Sequence, residues 1–286
     1  FDIVFHVTGP PVFPGLLSGI AASITGLSAL ALVGLFNSFV SQVSSLAISA
    51  LSGATFAVVA NAIGAVASHV SAAFGSVAGV RAATLALIGV PGRIVSDTAA
   101  FASNMQALFE APFAATDTVL QSDLWRGYMG MLTLAREQTA AALAIPTSTV
   151  DYTIRREVLL LTATALQAAS FVALCHAAAG KKYETAEQIE VDVAVLVDAF
   201  DGLAELDLLT ADRNRLSGML SETVAVLQRL EVTLPRVVSF AVPEMPASVL
   251  AYMLYDSDDK QQTLVGLNAG QNPILYNGAV NVLRNS

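Results

Sequence analysis

The chain has 286 residues, of which 55% are hydrophobic and 13% are charged, and it carries a formal net charge of −9. Its 14 Lys and Arg residues are not clustered as phosphate neutralisation requires, so the sequence argues against a nucleic-acid-binding protein. The single cysteine excludes an intrachain disulfide and a multi-cysteine metal site, and it fits assembly in a reducing cytoplasm. The abundance of Ala and Leu predicts a mainly α-helical protein, and the sparse charge indicates a surface that partners cover.

The first segment, FDIVFHVT at 1–8, alternates apolar and other side chains with the period of a half-buried strand. The following GPPVFPG ends that strand, because its prolines and glycines support neither a ladder nor a helix. A lone strand needs partners, so we expect residues 1–15 to be the end of a β-rich domain that lies upstream.

Residues 16–90 form the second segment, which we predict to be helix broken once or twice at glycines. No formal charge occurs between Asp2 and Arg81. One helical face carries serines at 38, 41, 45, 49 and 52, and the opposite face is apolar. Such a neutral face suits a helix packed inside an assembly or a helix within a bilayer. The most apolar run, 54–67, is shorter than the roughly 18 residues that span a membrane, so burial by protein without a permanent membrane span is the expectation. The predicted interface residues here are Phe36, Phe39, Val43 and Leu46.

The third segment, 91–234, repeats apolar stripes at helical spacing. We predict helices over about 94–110, 114–144, 150–179 and 210–231, and another that starts after a Thr185 cap. The first of these should stop near Ala111-Pro112. The connections are short, which is typical of an antiparallel helical bundle.

The last segment, 235–286, reads as strand, helix, helix and strand, that is, a small α+β domain of βααβ order. Its predicted core contains two helix faces and two strands: Leu250, Met253, Leu254, Leu264 and Leu267, with Val237, Phe240, Val280 and Val282. Asn268 and Asn272 should hold the turns. Tyr252, Tyr255 and Tyr276 are left for a protein interface, although each could instead complete the core.

No catalytic constellation is present in the sequence. Cys175 and His176 are adjacent and point about 100° apart on a helix, so they cannot form a nucleophile–base pair. The acidic turn around Asp256 lacks the glycine and the bidentate Glu of a calcium loop. The expectation is therefore a non-enzyme without catalytic, cofactor-binding or metal-binding residues.

Two resemblances follow from these motifs. Residues 236–286 resemble a LysM domain, with Asn268 and Asn272-Pro273 standing where LysM repeats carry their Asn and "NP" turn. The chain also resembles Mu-like phage "DNA circularisation" proteins at three stretches: FDIVFHVTGPPVFPG, FVALCHAAAGKKYETAEQ, and LAYMLYDSDD followed by LVGLNAGQNPILYNG.

The phage resemblance implies a structural component of a contractile tail or baseplate, located in the virion and assembled in the bacterial cytoplasm. It implies hub, wedge and tape-measure proteins, and further copies of the chain, as partners. Two other interpretations stay open: a membrane-active or pore-forming helical protein, and a peptidoglycan-binding LysM module on a helical stalk.

Overall fold

The computed structural model describes residues 14–46, 53–75, 77–88, 97–114, 121–257 and 259–284. The predicted strand at 1–8 lies outside these residues. Within them the chain forms ten helices and two strands: α1 Pro14–Ser45, α2 Gly53–Phe74, α3 Ala78–Ile88, α4 Thr98–Ala114, α5 Gln121–Leu143, α6 Val150–Gly180, α7 Ala186–Ala204, α8 Thr210–Glu231, β1 Arg236–Met245, α9 Ala247–Tyr255, α10 Gln261–Leu267 and β2 Tyr276–Arg284. The predicted mainly helical class with a small C-terminal sheet is confirmed.

The chain divides into two compact units. The helical unit contains Gly15–Lys182 and Val193–Val226, and the C-terminal unit contains Tyr183–Asp192 and Leu227–Ser286. The C-terminal unit therefore starts earlier than the predicted segment 235–286, and it includes the first turns of α7.

The core of the helical unit is built around α5 and α6. The short connection at 144–149 makes these two helices antiparallel neighbours, as predicted for a bundle. Tyr128 of α5 is fully buried between Phe74 of α2 and Phe109 of α4, with ring centroids 5.3 and 6.3 Å away. Its hydroxyl donates a hydrogen bond to the Phe109 carbonyl at 3.0 Å, so one side chain ties three helices together.

Helix α4 departs from its predicted end. Pro112 lies inside the helix, which continues to Ala114, two residues beyond the predicted stop near Ala111-Pro112, so Pro112 itself does not end the helix. A proline removes one backbone hydrogen bond, but a single missing bond near a helix end is offset when the last turn is well packed. Phe113 supplies that packing, because its ring lies 4.0 Å from His176 and 5.6 Å from Tyr128.

Helix α1 has the two faces that its sequence predicts. Phe36 and Phe39 are buried, and their rings lie 6.2 Å from Phe109 and 6.1 Å from Phe101 of α4. Ser41 and Ser45 are exposed on the other face, whereas the last two serines of the stripe lie outside the described residues. The second half of α1 therefore uses its aromatic face within the chain itself.

Two of the described helices are long and apolar enough to cross a membrane by length and composition alone. The first is Ser23–Ser45, of which 39% is buried inside the chain. The second is Val150–Gly180, of which 78% is buried, as expected for the central helix of a bundle.

The C-terminal unit has the predicted βααβ order. Strands β1 and β2 pair antiparallel, with Val238 opposite Val282 and Val242 opposite Gly278. A bulge between Val242 and Met245 shifts the register before Met245 pairs with Tyr276. Helices α9 and α10 lie between the two strands in sequence and pack on each other, and α10 also packs on β2.

Candidate docking surface of the C-terminal unit

The core of the C-terminal unit decides which side chains remain for a partner. It consists of eight buried residues: Val242, Ala247, Leu250, Ala251, Leu264, Tyr276, Val280 and Val282. The prediction is correct for Leu250, Leu264 and both β2 valines. It is wrong for Met253, which is 66% exposed, and for Phe240, which is 46% exposed. The β1 contribution comes from Val238 and Val242 instead, because the strand alternation places Val237 on the other face.

Asn268 holds α10 to β2, as the predicted turn-holding role requires. Its side-chain amide donates to the carbonyls of Leu264 at 2.9 Å and Asn281 at 2.8 Å. Its side-chain oxygen accepts from the Asn281 backbone N–H at 2.8 Å. The Asn268 side chain is buried, so these polar atoms serve the fold.

Two of the three predicted interface tyrosines are likewise used by the fold. Tyr276 is 1% exposed, and its hydroxyl donates to the Leu264 carbonyl at 3.3 Å. The hydroxyl of Tyr255 donates to the Leu283 carbonyl at 3.2 Å and accepts from the Leu283 N–H at 2.8 Å. Burial raises the pKa of both phenols, so they remain protonated donors at physiological pH.

The segment Asn272–Leu275 forms a turn beside the start of α9. The Asn272 side-chain oxygen accepts from the Ile274 N–H, and the Asn272 carbonyl accepts from the Leu275 N–H, both at 3.1 Å. The Ala247 N–H, at the first residue of α9, donates to the Pro273 carbonyl at 3.1 Å. The predicted turn role of Asn272 is thereby seen, and the turn is fixed against the helix.

Five exposed apolar side chains of this unit lie on α9 and on the turn beside its first residue, and we call them the α9 surface. Val249, Tyr252 and Met253 share one face of α9 by their i, i+3, i+4 spacing, with exposed fractions of 45%, 62% and 66%. Ile274 and Leu275 of the neighbouring turn are 75% and 44% exposed. Single exposed apolar residues are ordinary, but five on adjacent elements are typical of a contact site.

The predicted interface residues therefore separate into two groups. Tyr252 lies on the α9 surface. Phe36, Phe39, Val43 and Tyr276 are buried within the chain, Leu46 and Tyr255 are partly buried, and Asn268 and Asn272 maintain the fold. Val249, Met253, Ile274 and Leu275 were not predicted, because helical spacing shows which residues share a face but not which face the strands cover.

Two adjacent titratable side chains of α6, Cys175 and His176, are buried in the helical unit. Burial raises the pKa of the Cys175 thiol to about 12, so it stays protonated. Burial lowers the pKa of His176 to about 4, and its Nδ1 has no hydrogen-bond partner. Within the residues that the structure describes, no group of three His, Cys, Asp or Glu side chains could hold a metal ion.

No protein-family model matches the chain, and no curated protein matches it significantly. Functional inference therefore depends on the chain's own residues and motifs.

Proposed function

We propose that this chain is a structural component of a contractile phage tail or baseplate, or of a related phage-like particle. In this role it links the hub or tape-measure region to surrounding baseplate proteins by protein contacts, and its C-terminal βααβ unit is a LysM-like docking domain. The resemblance of the sequence motifs to phage proteins supports the assignment to a tail or baseplate. The exposed α9 surface is the observation that supports the docking role.

The chemistry of the α9 surface favours a protein partner over a glycan. Four of its five side chains are aliphatic or thioether groups, whereas a site that orients sugar hydroxyls needs convergent polar groups. Asn268 and the Tyr255 and Tyr276 hydroxyls are engaged by the backbone instead. Exposed Tyr and Met are also enriched in protein interfaces.

The experiment replaces the native gene in the producing bacterium and measures the chain in purified particles with an antibody. Tyr252→Asp with Met253→Asp should remove the chain from particles, because two carboxylates on the patch cannot be desolvated cheaply. Gln262→Asp is the matched control, since Gln262 is exposed on the neighbouring helix α10. It should leave incorporation unchanged.

The tail assignment is contradicted if the native chain never co-purifies with particles. The docking assignment alone is contradicted if the double variant is incorporated normally. Binding of soluble peptidoglycan fragments that is lost in Tyr252→Ala would favour the LysM-type glycan function instead.

A membrane-active function has one observation in its favour, the uncharged Ser23–Ser45 stretch of bilayer length. It predicts that the purified chain releases dye from vesicles of phosphatidylethanolamine and phosphatidylglycerol. Because Phe36 and Phe39 of α1 are already packed on α4, the tail function is the better supported of the two.

A further inference from the structure

An open groove of about 670 Å³ runs between α1 and α8 in the helical unit. Residues between 27 and 37 form one wall, and residues between 214 and 222 form the other. The α1 wall carries no charge, whereas the α8 wall carries both a positive and a negative side chain. This difference bears on which kind of molecule can fill the groove.

The α1 wall is uncharged and mostly apolar, with Asn37 as its one polar side chain. Leu27, Leu30 and Val33 line it with 37%, 70% and 40% of their surfaces exposed. They point away from the aromatic contacts that hold α1 to α4. Covering them would remove apolar area from water, which is the main driving force of association.

The middle of the α8 wall is Gly218, where the packing of the chain does not require a glycine. A Cβ atom at Gly218 would meet nothing within 4 Å, whereas at Gly34 it would lie 2.7 Å from the Arg215 guanidinium. Glycine inside a helix is disfavoured relative to alanine. The missing side chain at the exposed Gly218 leaves room for a second helix to approach closely.

Opposite charges flank this glycine. Arg215 lies on one side of Gly218 and Glu222 on the other, about 10 Å apart along the helix axis. Arg215 is anchored on its inner side by Asp212, yet 46% of its side chain is exposed. If two copies of α8 cross antiparallel at the exposed Gly218, each Arg215 lies close to the Glu222 of the other copy.

We propose that the groove is a self-association site, in which two copies of the chain meet about a two-fold axis that crosses α8 at Gly218. The axis places the two α8 helices antiparallel with two reciprocal Arg215–Glu222 pairs. It also brings the two α1 walls together, so that Leu27, Leu30 and Val33 of one copy cover those of the other. In such an isologous arrangement the surface must be complementary to itself. The α8 surface meets this requirement because Arg215 and Glu222, which have opposite charges, lie on opposite sides of Gly218.

A lipid occupant is disfavoured by the same residues. A bilayer that covered the α1 wall in this position would also desolvate Arg215 and Glu222. The inference does not depend on the tail assignment, since it rests on the groove alone.

The test is sedimentation equilibrium of the full chain, native and variant, over a range of concentrations. The native chain should show a monomer–dimer equilibrium. Gly218→Leu should abolish the dimer by separating the helices, yet leave monomer melting unchanged or raised, because Gly218 is exposed, a Cβ atom there meets nothing within 4 Å, and Leu has a better helix propensity. Gly64→Leu is the matched control, a helical glycine with equally open surroundings on α2, and it should leave the dimer intact.

A second variant keeps the test independent of folding at Gly218. Glu222→Arg places like charges opposite each other, and the dissociation constant should rise by about tenfold or more. A native chain that stays monomeric at its highest soluble concentration overturns the proposal. So does a native dimer that both variants leave unchanged, because association would then use another surface.

Discussion

At the residue scale, buried polar side chains act as ties between elements. Gln167 of α6 donates to the Thr139 hydroxyl of α5 at 2.6 Å, and Tyr128 and Asn268 connect helices and a strand in the same way. A buried polar group that loses its partner costs more than the bond itself contributes, so these positions should be sensitive to substitution.

The first prediction concerns Asn268. Asn268→Ala removes the acceptor of the Asn281 N–H and two donors, and it should lower the free energy of unfolding of the C-terminal unit by about 2–4 kcal/mol. Chemical denaturation followed by hydrogen exchange of the β2 amides measures this. Asn272→Ala is the control, since its bond lies in an exposed turn and its loss should cost about 1 kcal/mol or less. Equal losses in the two variants would contradict the buried role of Asn268.

The second prediction concerns His176 and pH. Burial lowers its pKa from 6.5 to about 4, so between these values the unfolded chain binds a proton that the folded chain does not. Folding stability should therefore be complete above pH 6.5 and fall as the pH drops toward 4. The pKa change corresponds to about 3 kcal/mol.

His176→Phe keeps a ring on Phe113 and removes the titration. Thermal melting, followed by the fluorescence of the single tryptophan Trp125, should show a smaller loss between pH 7.5 and pH 5 in the variant than in the native chain. Identical pH slopes would show that His176 does not titrate as its surroundings indicate.

At the element scale, close helix contacts depend on residues without side chains. Helices α2 and α5 meet at Gly127 and Gly130, where a Cβ atom would collide with Phe74 and His69. The His69 ring lies 3.3 Å from the Gly127 carbonyl at the same crossing. Small residues at such positions set how near two helices can approach.

The third prediction follows from this crossing. Gly130→Ala should destabilise the helical unit by about 1–3 kcal/mol, because the added methyl group overpacks the contact with His69. Gly64→Ala, where a methyl group meets nothing within 4 Å, should instead stabilise it by up to about 1 kcal/mol through helix propensity. Urea denaturation measures both, and stabilisation by Gly130→Ala would show that the His69 ring is not held against Gly130.

At the scale of the whole molecule, the C-terminal unit is assembled from separate parts of the chain. The Ala186 N–H donates to the Pro235 carbonyl, and the Val237 N–H donates to the Glu187 carboxylate at 2.9 Å. Arg236 bridges Glu190 and Glu231. The first turns of α7 thus hold the beginning of β1, which local sequence at 235–286 does not reveal.

The fourth prediction tests this connection. Burial of the Glu187 carboxylate raises its pKa, but backbone N–H groups, among them that of Val237, and the Arg236 charge outweigh burial and hold the pKa below its usual value. Glu187→Ala should therefore accelerate hydrogen exchange of the Val237 amide by about tenfold or more at neutral pH. The native chain should approach the variant's rate as the pH falls and Glu187 becomes protonated.

Glu184→Ala is the control, because Glu184 uses its backbone N–H, not its carboxylate, to bond the Gln188 side chain. Unchanged exchange at Val237 in Glu187→Ala would place the support of β1 elsewhere.

The amino-acid sequence by itself determined the elements whose signals are local. Apolar spacing at 3.6 residues predicted α8 over the same residues, 210–231, that the structure shows. The alternation and turn residues after Pro235 likewise predicted the strand–helix–helix–strand order. Thr185 was recognised as the start of α7, although Gln188 reaches back to Glu184 and not to Thr185. Such signals repeat within one or two turns, so they do not require knowledge of distant residues.

Tertiary structure alone decided which faces are covered. Tyr252, Tyr255 and Tyr276 look equivalent in the sequence, yet the first is exposed, the second bonds β2 and the third fills the core. Met253 and Phe240 were assigned to the core and are exposed, and Pro112 was read as a helix end and lies within α4. The physical reason is the same in each case. Whether a side chain is buried, and whether a helix tolerates a missing hydrogen bond, depends on side chains from distant parts of the chain that pack against it. The periodicity of the local sequence contains no information about those contacts.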